Sequence, residues 1–397
     1  MAEWIECSIG DLCSTISDTY KGNDEYVVLV NTSDVLEGKV LNHETVANKN
    51  LKGQFKKTFK RDDILYSEIR PANKRFAYID FENTSNYIAS TKLMVLRHNE
   101  KVLPEYLFAL LKSNYVIAEL QHLAETRSGT FPQITFSSEL APMKVFLPDK
   151  DTQKRIVSIL SSIEQKIDKN NEINNNLEQQ TQAIFKSWFV DFELNYGNMP
   201  SDWKVSQLGT IAKISTEVFS PAKNQNVEVE HYSIPAYDEK RYPVFETSNG
   251  IKSNKYRLSS NSVMISKLNP DTKRIWRPYC ISDNPICSTE FIVFEPINPL
   301  NRDFIYSIID SIGFSAFLCS HTTGSTNSRQ RATPSVTLTY DVIVPDEKTI
   351  QAFCSIVSPM YDTIENNIKE NQKLAETRDK LLPKLMSGEL DVSDIEL

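Results

Sequence analysis

The chain has 397 residues, 40% of them hydrophobic, and this length predicts two or three domains with substantial cores. Its 52 acidic and 44 basic residues give a formal net charge of −8, which by itself argues against a nucleic-acid binder. No apolar run approaches the roughly 18 residues of a membrane span. The first residues lack the pattern of a secretory signal, and the six cysteines show no CxxC spacing. We therefore expect a cytoplasmic protein with reduced thiols and without a zinc site.

The charge is distributed unevenly along the chain. Positions 49–61 carry six basic residues and no acidic one. A second basic cluster lies at 267–277 and a third at Arg329 and Arg331, whereas the last nine residues are acidic and offset these clusters in the total. A solvated surface is the simpler explanation of any one basic segment, so the clusters taken singly do not predict a nucleic-acid site.

Residues 1–150 predict a compact mixed α/β domain. The stretch Pro104–Ala124 has the composition of a helix. Short apolar runs indicate strands at Tyr26–Val30, Ile64–Ser67, Leu93–Leu96 and Val145–Leu147. Short strands interleaved with a helix are typical of a mixed domain that is rich in loops.

Residues 151–192 predict one long helix. Its seam positions recur at alternating steps of four and three from Ile156 to Trp188, which is the 3.5-residue period of a coiled coil. Asn170 and Asn174 interrupt this mostly apolar seam. A buried asparagine at a seam costs stability but fixes the register, because it needs a polar partner across the interface.

The second half of the chain repeats the first. Five blocks recur in the same order at an offset that drifts only from 199 to 197. Among them, DILYSEIRPANKR at 63–75 matches SVMISKLNPDTKR at 262–274, and VFLPD at 145–149 matches VIVPD at 342–346. Such a series indicates a tandem duplication. It predicts a second mixed domain at 193–346 and a second long helix at 347–397.

The two helices are expected to pair antiparallel. Each seam is roughly 50 Å long at about 1.5 Å per residue, whereas the 11-residue linker ELNYGNMPSDW spans at most about 38 Å. The chain therefore cannot easily return to the start of the first helix. An antiparallel pair needs no return, and it brings Asn170 and Asn174 to Asn367 and Asn371, which occupy the same seam positions in the second copy. Two helices packed separately on their own domains are the alternative.

The predicted fold class is α+β, with two tandem mixed α/β domains separated by two long helices that form an antiparallel coiled coil with pseudo-two-fold symmetry. Pro359 lies inside the second predicted helix. An interior proline costs about 3 kcal/mol, so we expect a kink or a fresh helix start there, with Ser358 as the N-cap.

The chain lacks the motifs of common enzymes. Its two closest glycines are 11 positions apart, which excludes GxGxxG and Walker motifs, and it has no NPPY or DPPY segment. The Pro-Asp pair at 148–149, followed by Glu164 and Lys166, is similar to the PD…ExK pattern of metal-dependent nucleases. The second copy has Tyr361 and Thr363 in place of Glu164 and Lys166, which argues against a nuclease.

Four features together resemble the specificity subunits of Type I restriction–modification systems. They are AIFKSWFVDFE at the end of the first helix, the W…LG start of each half, the PD entry to each helix and LLPKLMSGELDVS near the C-terminus. The resemblance covers essentially the whole chain. It implies target-recognition domains at 1–150 and 193–346, a central conserved helix at 151–192, and a C-terminal conserved helix and tail at 347–397.

The resemblance also implies a function and partners. The chain would be a non-catalytic subunit whose two domains each read one half of a bipartite DNA target, while the helices set the spacer and dock partners. These partners would be double-stranded DNA, two modification (methyltransferase) subunits and the restriction/translocase subunits, in a bacterial or archaeal cytoplasm and without a membrane. No cofactor is expected in this chain, and S-adenosylmethionine, ATP and Mg are expected on partner subunits. A stand-alone two-headed DNA-binding adaptor or scaffold without a methylase is the alternative.

Base reading is expected from loops, because contacts to base edges specify a sequence whereas phosphate contacts position the protein. Arg and Asn side chains pair bidentately with guanine and adenine edges. The candidates in the first domain are Ser67, Arg70, Asn73, Lys74, Arg75, Arg127, Ser128, Thr130 and Gln133. The candidates in the second domain are Ser266, Lys267, Asn269, Lys273, Arg274, Ser325, Asn327, Arg329, Gln330 and Arg331.

The end of the first helix is aromatic, and its rings cannot all face one partner helix. Some of them are expected to contact a modification subunit, while ordinary packing against the second domain is the alternative. The predicted partner-binding residues are Phe185, Trp188, Phe189, Leu382 and Leu385.

Overall fold

The computed structural model describes residues 4–49, 51, 53–127, 132–323, 330–393 and 395. The chain divides into two compact units. Unit 1 comprises Met1–Gln165 and Leu374–Leu397, and unit 2 comprises Lys166–Lys373. Both long helices contribute residues to both units.

Unit 1 contains twelve strands among its described residues, most of them short, together with two helices and the start of a third. The strands are Ile5–Ser8 (β1), Cys13–Ile16 (β2), Tyr26–Val30 (β3), Val35–Leu36 (β4), Lys39–Val40 (β5), Thr45–Ala47 (β6), Phe55–Lys57 (β7), Ile64–Ser67 (β8), Phe76–Tyr78 (β9), Tyr87–Ser90 (β10), Leu93–His98 (β11) and Lys144–Leu147 (β12). The helices are Pro104–Leu111 (α1), Asn114–Arg127 (α2) and Lys150–Phe189 (α3). The four strands expected from the sequence are confirmed as β3, β8, β11 and β12.

Unit 2 has a similar order of elements, with additional short strands and helices. Its strands are Lys204–Gln207 (β13), Ala212–Ser215 (β14), Val218–Phe219 (β15), Glu228–Tyr232 (β16), Val244–Thr247 (β17), Lys255–Arg257 (β18), Val263–Ser266 (β19), Ile275–Trp276 (β20), Pro285–Ser288 (β21), Phe291–Pro296 (β22), Thr322–Thr323 (β23), Arg331–Ala332 (β24) and Asp341–Val344 (β25). The helices are Ile234–Lys240 (α4), Arg302–Asp310 (α5), Ile312–Ser320 (α6), Pro334–Thr337 (α7) and Glu347–Ser387 (α8).

The sheets of the two units have equivalent topology. Unit 1 has sheets ordered β2-β11-β8-β9 and β6-β3-β10-β7, and unit 2 has β14-β22-β19-β20 and β15-β18-β21-β16-β17. In each unit one strand pair of the second sheet is parallel, β3 with β10 and β16 with β21. The duplication read from the sequence is therefore a duplication of the fold.

The repeated short motifs close each unit at its helix. The strand before each Pro-Asp pair bonds to the first strand of the same unit, β12 to β1 and β25 to β13. Asp149 then accepts the Thr152 amide at 2.8 Å and Asp346 accepts the Thr349 amide at 3.1 Å, as N-caps do. Hydrogen bonds from these threonines lower the pKa of both carboxyl groups. The Pro-Asp pair is thus a helix start.

The long helices pair antiparallel within each unit, as expected. In unit 2, Asn170 bonds Asn371 and Asn367 bonds Asn174, so a higher number on one helix meets a lower number on the other. In unit 1, the first turns of α3 and the last turns of α8 share one core, which includes the side chains of Ile156, Leu160, Leu382 and Leu385.

Two helix predictions were wrong. The expected fresh start at Pro359 with Ser358 as the N-cap is wrong, because α8 continues through Pro359 and Ser358 hydrogen-bonds the side chain of Asp303. The alternative, a kink at Pro359, stays a prediction. The single helix expected at Pro104–Ala124 is broken into α1 and α2, and the equivalent stretch of unit 2 is broken into α5 and α6. Ser113 and Ser311 stand at the breaks, where each side chain accepts the backbone amide of residue i+3 and so starts a new helix.

Among the described residues no single helix is long and apolar enough to span a membrane. The bent pair Pro299–Asp310 and Ile312–Ser320 passes a test of length and composition only. In that pair, α5 buries seven of its nine residues in the core of unit 2, which accounts for its apolar character.

Candidate nucleic-acid interface

The two loops that the sequence singles out lie side by side in each unit. In unit 1, the loop between β8 and β9 meets the segment before β12, because the Arg70 amide donates to the Pro132 carbonyl at 3.1 Å. In unit 2, the Asn269 amide donates to the Gln330 carbonyl at 2.9 Å. Isolated bridges between Ile69 and Gln133 and between Leu268 and Arg331 continue the contact. In each unit the described end of the second loop, at 132–133 or 330–331, therefore lies against the loop between the two strands.

Left-handed backbone shapes the tip of this surface. Arg70 and Lys74 flank a short 3-10 turn with φ of 46° and 51°, and Asn269 has φ of 48°. Non-glycine residues adopt this conformation at a cost, and they do so most often at functional sites. The side chains of Arg70 and Asn73 are exposed at this tip. They are the unit 1 candidates best placed for base contacts.

A third segment joins the surface, and sequence reasoning missed it. We call the loop between β8 and β9, and its equivalent between β19 and β20, the reading loop of each unit. The turn between β10 and β11 contacts this loop, because the Glu68 amide donates to the Lys92 carbonyl at 3.0 Å. The equivalent bond in unit 2 joins the Lys267 amide to the Glu290 carbonyl at 2.9 Å. The charges at these two positions are reversed between the units. The signal was present in the matched blocks IASTKLMVL and ICSTEFIVF, which differ in charge at Lys92 and Glu290.

Two predicted contact residues are buried and serve the loop itself. Ser67 is 2% exposed and Ser266 is 1% exposed. The Ser67 hydroxyl accepts the Ile69 amide at 3.0 Å, and the Ser266 hydroxyl accepts the Leu268 amide at 3.2 Å. The prediction that these serines contact DNA was wrong, because their hydroxyls close the turn that begins each reading loop.

Two predicted arginines are held by residues distant in the chain. Arg75 donates through Nη1 to the carbonyls of Ser33 and Val35 at 3.1 and 3.3 Å. Arg274 makes a two-point contact with Asp238 at 2.6 and 2.9 Å, which raises its pKa. Both guanidinium groups anchor the loop to neighbouring elements, and base contact by these arginines stays a prediction.

The remaining cations are paired to different degrees. Lys74 bonds Glu37 at 3.1 Å in an exposed pair, which contributes little and opens readily. Lys273 pairs with Asp310 of α5. Arg331 contacts Glu290 at 3.0 Å, and this bond raises the Arg331 pKa. Glu290 thus contacts two basic residues of the surface, Arg331 through its side chain and Lys267 through its backbone.

The side chains of Gln133, Asn269 and Gln330 are half-buried. Gln133 and Gln330 lie at the loop contacts described above. The Asn269 side-chain oxygen is buried and finds no hydrogen-bond partner within the described part of the chain. A buried acceptor without a partner is costly, so the conformation of Asn269 carries strain at this loop. The backbone of Arg127 ends α2, and its side chain lies outside the described residues, as do Ser128, Thr130, Ser325, Asn327 and Arg329.

The asparagines of the seam form buried polar layers in unit 2. Asn170 is 1% exposed and donates to Asn371 at 2.9 Å and to Glu370 at 2.7 Å. Asn367 donates to Asn174 at 2.8 Å. The bond from Asn170 lowers the pKa of Glu370. Each layer is satisfied only in this register, as is typical of a polar seam position.

The predicted partner-binding residues pack mostly inside their own units. Phe189 is 3% exposed, with its ring centroid 5.0 Å from that of Phe353 and 5.1 Å from that of Phe304. Leu382 and Leu385 are 7% and 2% exposed in the core of unit 1. Partner binding by these three side chains was wrong, because the core already occupies their surface.

Phe185 and Trp188 are only half-buried, so partner binding at these positions stays a prediction. Phe185 lines an open cleft of about 780 Å³ in unit 2. Val190, 54% exposed, and Ile312, 85% exposed, line the same cleft. The cleft is an apolar surface beside the aromatic end of α3.

The nuclease-like pattern does not form a metal site. Asp149 caps α3 and Glu164 lies 15 residues along it, which is about 22 Å at 1.5 Å per residue. Glu164 pairs with Lys112 instead. Within the residues that the structure describes, no group of three His, Cys, Asp or Glu side chains is arranged to hold a metal ion.

Comparisons with known proteins agree with this geometry. Residues 1–179 match the family of the Type I restriction modification DNA specificity domain. The chain is 48% identical over 195 residues to the Type I restriction enzyme HindI specificity subunit of Haemophilus influenzae, a match that covers 49% of this chain and 42% of that protein. It is 26% identical over 324 residues to the Type I restriction enzyme MjaIX specificity subunit of Methanocaldococcus jannaschii, which covers 74% of this chain and 71% of that protein.

A solved structure shares the fold. The S subunit of a Type I restriction–modification system from M. genitalium aligns with a TM-score of 0.57 at 15% identity, over 97% of this chain and 96% of that chain. The matched part of this chain spans less than half of the HindI subunit.

Proposed function

Residues 1–179 belong to the family of Type I restriction modification DNA specificity domains, and on this premise we propose that the chain is the DNA-recognition subunit of a Type I restriction–modification complex. Each unit carries one reading surface, so each reads one half of a bipartite target. Direct readout at base edges gives the sequence preference, while phosphate contacts supply affinity.

The observation that carries this proposal is the pair of equivalent reading surfaces with different side chains. The backbone contacts between the loops recur in both units at 3.1 and 2.9 Å. On this shared scaffold, unit 1 presents Arg70 and Asn73, and unit 2 presents Lys267 and Asn269. A common frame with different functional groups is what two readers of different sequences require.

The helices support the same function. The asparagine layers fix one register between α3 and α8, and a fixed register sets a fixed number of unread base pairs. The proposed partners are double-stranded DNA, two modification subunits and restriction/translocase subunits. The apolar cleft beside Phe185 and Ile312 offers a docking surface to a modification subunit. Basic groups of such partners would also offset the net charge of −8 when DNA binds.

The proposal assigns no chemical step to this chain. S-adenosylmethionine, ATP and Mg are assigned to the partner subunits, since the sequence has no GxGxxG, Walker, NPPY or DPPY motif. The purified chain should therefore show no methyltransferase or nuclease turnover. Measurable turnover by the chain alone would contradict this assignment.

A domain exchange tests the reading function. Residues 201–346 are replaced by the matching segment of a relative, and the variant is expressed together with the cognate modification subunit in host cells. The DNA of these cells is then sequenced with detection of methylated adenine. One half of the methylated motif should change and the other should stay. A change in both halves would refute independent reading, and an exchange of 4–147 provides the matched control for the other half.

A further inference from the structure

The second domain is tied to α8 by one buried arginine. Arg277 is 7% exposed and contacts Asp303 of α5 at 2.9 Å. It also reaches two acidic residues of α8, Asp362 at 2.7 Å and Glu365 at 3.1 Å. Arg277 belongs to the basic cluster at 267–277, yet its guanidinium faces a helix of its own unit. Three carboxylates around one guanidinium make this contact specific in geometry as well as charge.

A second set of polar contacts ties the same domain to α3. Arg241, at the end of α4, donates to Glu178 at 2.6 Å. Gln182 donates to Asp310 of α5 at 2.8 Å. Asp310 in turn pairs with Lys273 of the reading loop. The helix surface that receives the second domain is therefore acidic at three positions, 178, 362 and 365.

The helix positions equivalent by the repeat, at the start of α3 and the end of α8, carry other residues. Along the 197-residue offset of the helices, Gln165 and Asp168 replace Asp362 and Glu365, and Ala375 replaces Glu178. Tyr78 is the residue of the first copy that is equivalent to Arg277 in the repeat, and its hydroxyl donates to Asp62 at 2.6 Å. We call the helix segments that pack on the first domain the first position, and those that pack on the second domain the second position. Of the three acids at the second position, only one has an acidic equivalent at the first position, Asp168.

Unit 1 has its own ionic contact in exchange. Lys112, at the end of α1, pairs with Glu164 of α3, and Arg378 of α8 lies 4.0 Å from the same carboxylate. In unit 2 the corresponding residues are Asp310, Tyr361 and Thr181. There the contact is neutral, since the Tyr361 hydroxyl hydrogen-bonds the side chains of Ser307 and Thr181.

We propose that the paired helices select their own domain at each position through this charge pattern. A buried ion pair adds little net stability, but removing one partner leaves an uncompensated charge and is strongly unfavourable. Placed beside the start of α3 and the end of α8, the second domain would bring Arg241 to Ala375 in place of Glu178, and Arg277 to Gln165 in place of Asp362. Arg277 would keep Asp303 of its own domain and the acid at Asp168. In the second position the first domain would bring Lys112 to Tyr361. The two domains are therefore not interchangeable along the chain, and the order of the two half-sites on DNA is fixed by the helices.

A transposition with helix grafts tests this selection. In the full chain, residues 1–150 are replaced by a copy of 193–346, so that the second domain occupies both positions. The same chimera is then given Gln165→Asp and Ala375→Glu, which copy the acids of the second position. The grafts should raise the Tm of the chimera by about 4–8 °C, since they restore two ion-pair partners. An unchanged Tm would overturn the proposal.

The native chain supplies the controls. The same two substitutions in the native chain should give no rise in Tm, because the first domain carries no arginine at these contacts. An equal rise there would mean a general effect of added acid and would also overturn the proposal. If the chimera does not fold, the reverse substitutions in the native chain provide the test. Asp362→Gln combined with Glu178→Ala should lower the Tm by about 4–8 °C. An unchanged Tm would contradict the proposal.

Discussion

Replacing Arg277 by methionine isolates the contribution of the buried ionic cluster. The substitution keeps an apolar side chain of similar length but removes the guanidinium that contacts Asp303 at 2.9 Å. Asp303, 4% exposed, is then left with Arg302 at 3.0 Å and with Ser358. A buried carboxylate loses its main cationic partner.

Breaking a buried pair by removing one partner costs about 3–5 kcal/mol. The lower end applies here, because Arg302 still contacts the carboxylate. Each kcal/mol lowers the Tm of a unit of roughly 200 residues by about 2–4 °C, so we expect a fall of about 6–12 °C. Arg277→Met combined with Asp303→Leu should recover most of this loss, since neither buried charge remains.

Intrinsic fluorescence follows this unit selectively. Trp188, Trp203 and Trp276 lie in unit 2, and a Trp4→Phe background removes the fourth tryptophan, which lies in unit 1. Thermal unfolding of the single and double variants in this background gives the two Tm values. A single variant with the native Tm, or a double variant less stable than the single one, would refute the reasoning.

The same cluster predicts a dependence on pH. Burial by itself would raise the pKa of Asp303, but the charges of Arg277 and Arg302 outweigh burial and lower the pKa below its ordinary value. A depressed carboxyl pKa gives stability that is present above the unfolded pKa of about 3.9 and is lost as the pH falls further. The Tm difference between native chain and Arg277→Met should therefore shrink below about pH 4.

Three further predictions concern the reading surfaces and the second sheet of unit 2. Arg70→Ala should weaken methylation at sites that depend on the first half of the motif and leave the Tm unchanged. Arg75→Ala should lower the Tm, because the Arg75 guanidinium bonds two carbonyls. Methylome sequencing and thermal unfolding separate the two outcomes. Reversing the charges with Glu68→Lys and Lys92→Glu should alter only the first half of the motif, and an unaltered motif would remove this pair from base reading. Burial lowers the pKa of His231 despite its bond to Glu246, so the Tm of unit 2 should fall as the pH drops below about 6.5; a His231→Gln chain that shows the same fall would exclude this residue as the cause.

The sequence by itself determined the duplication, four strands of the first copy and the antiparallel helix pair. These features depend on local patterns that persist along the chain. A seam with a 3.5-residue period and matching asparagines leaves few arrangements that satisfy every polar group, and Asn170 with Asn371 is the arrangement observed. The repeat strengthened each of these inferences, because the same pattern had to predict the same element in both copies.

The tertiary structure alone decided which polar residues remain free to act. Arg75, Arg274 and Arg277 are similar in the sequence, yet their partners lie 26 to 88 positions away and differ in each case. The burial of Ser67 and the closeness of Lys92 to the reading loop likewise depend on strand pairing. Ion pairing and burial are set by residues that meet only when the chain is folded, and no local pattern specifies which cation meets which carboxylate.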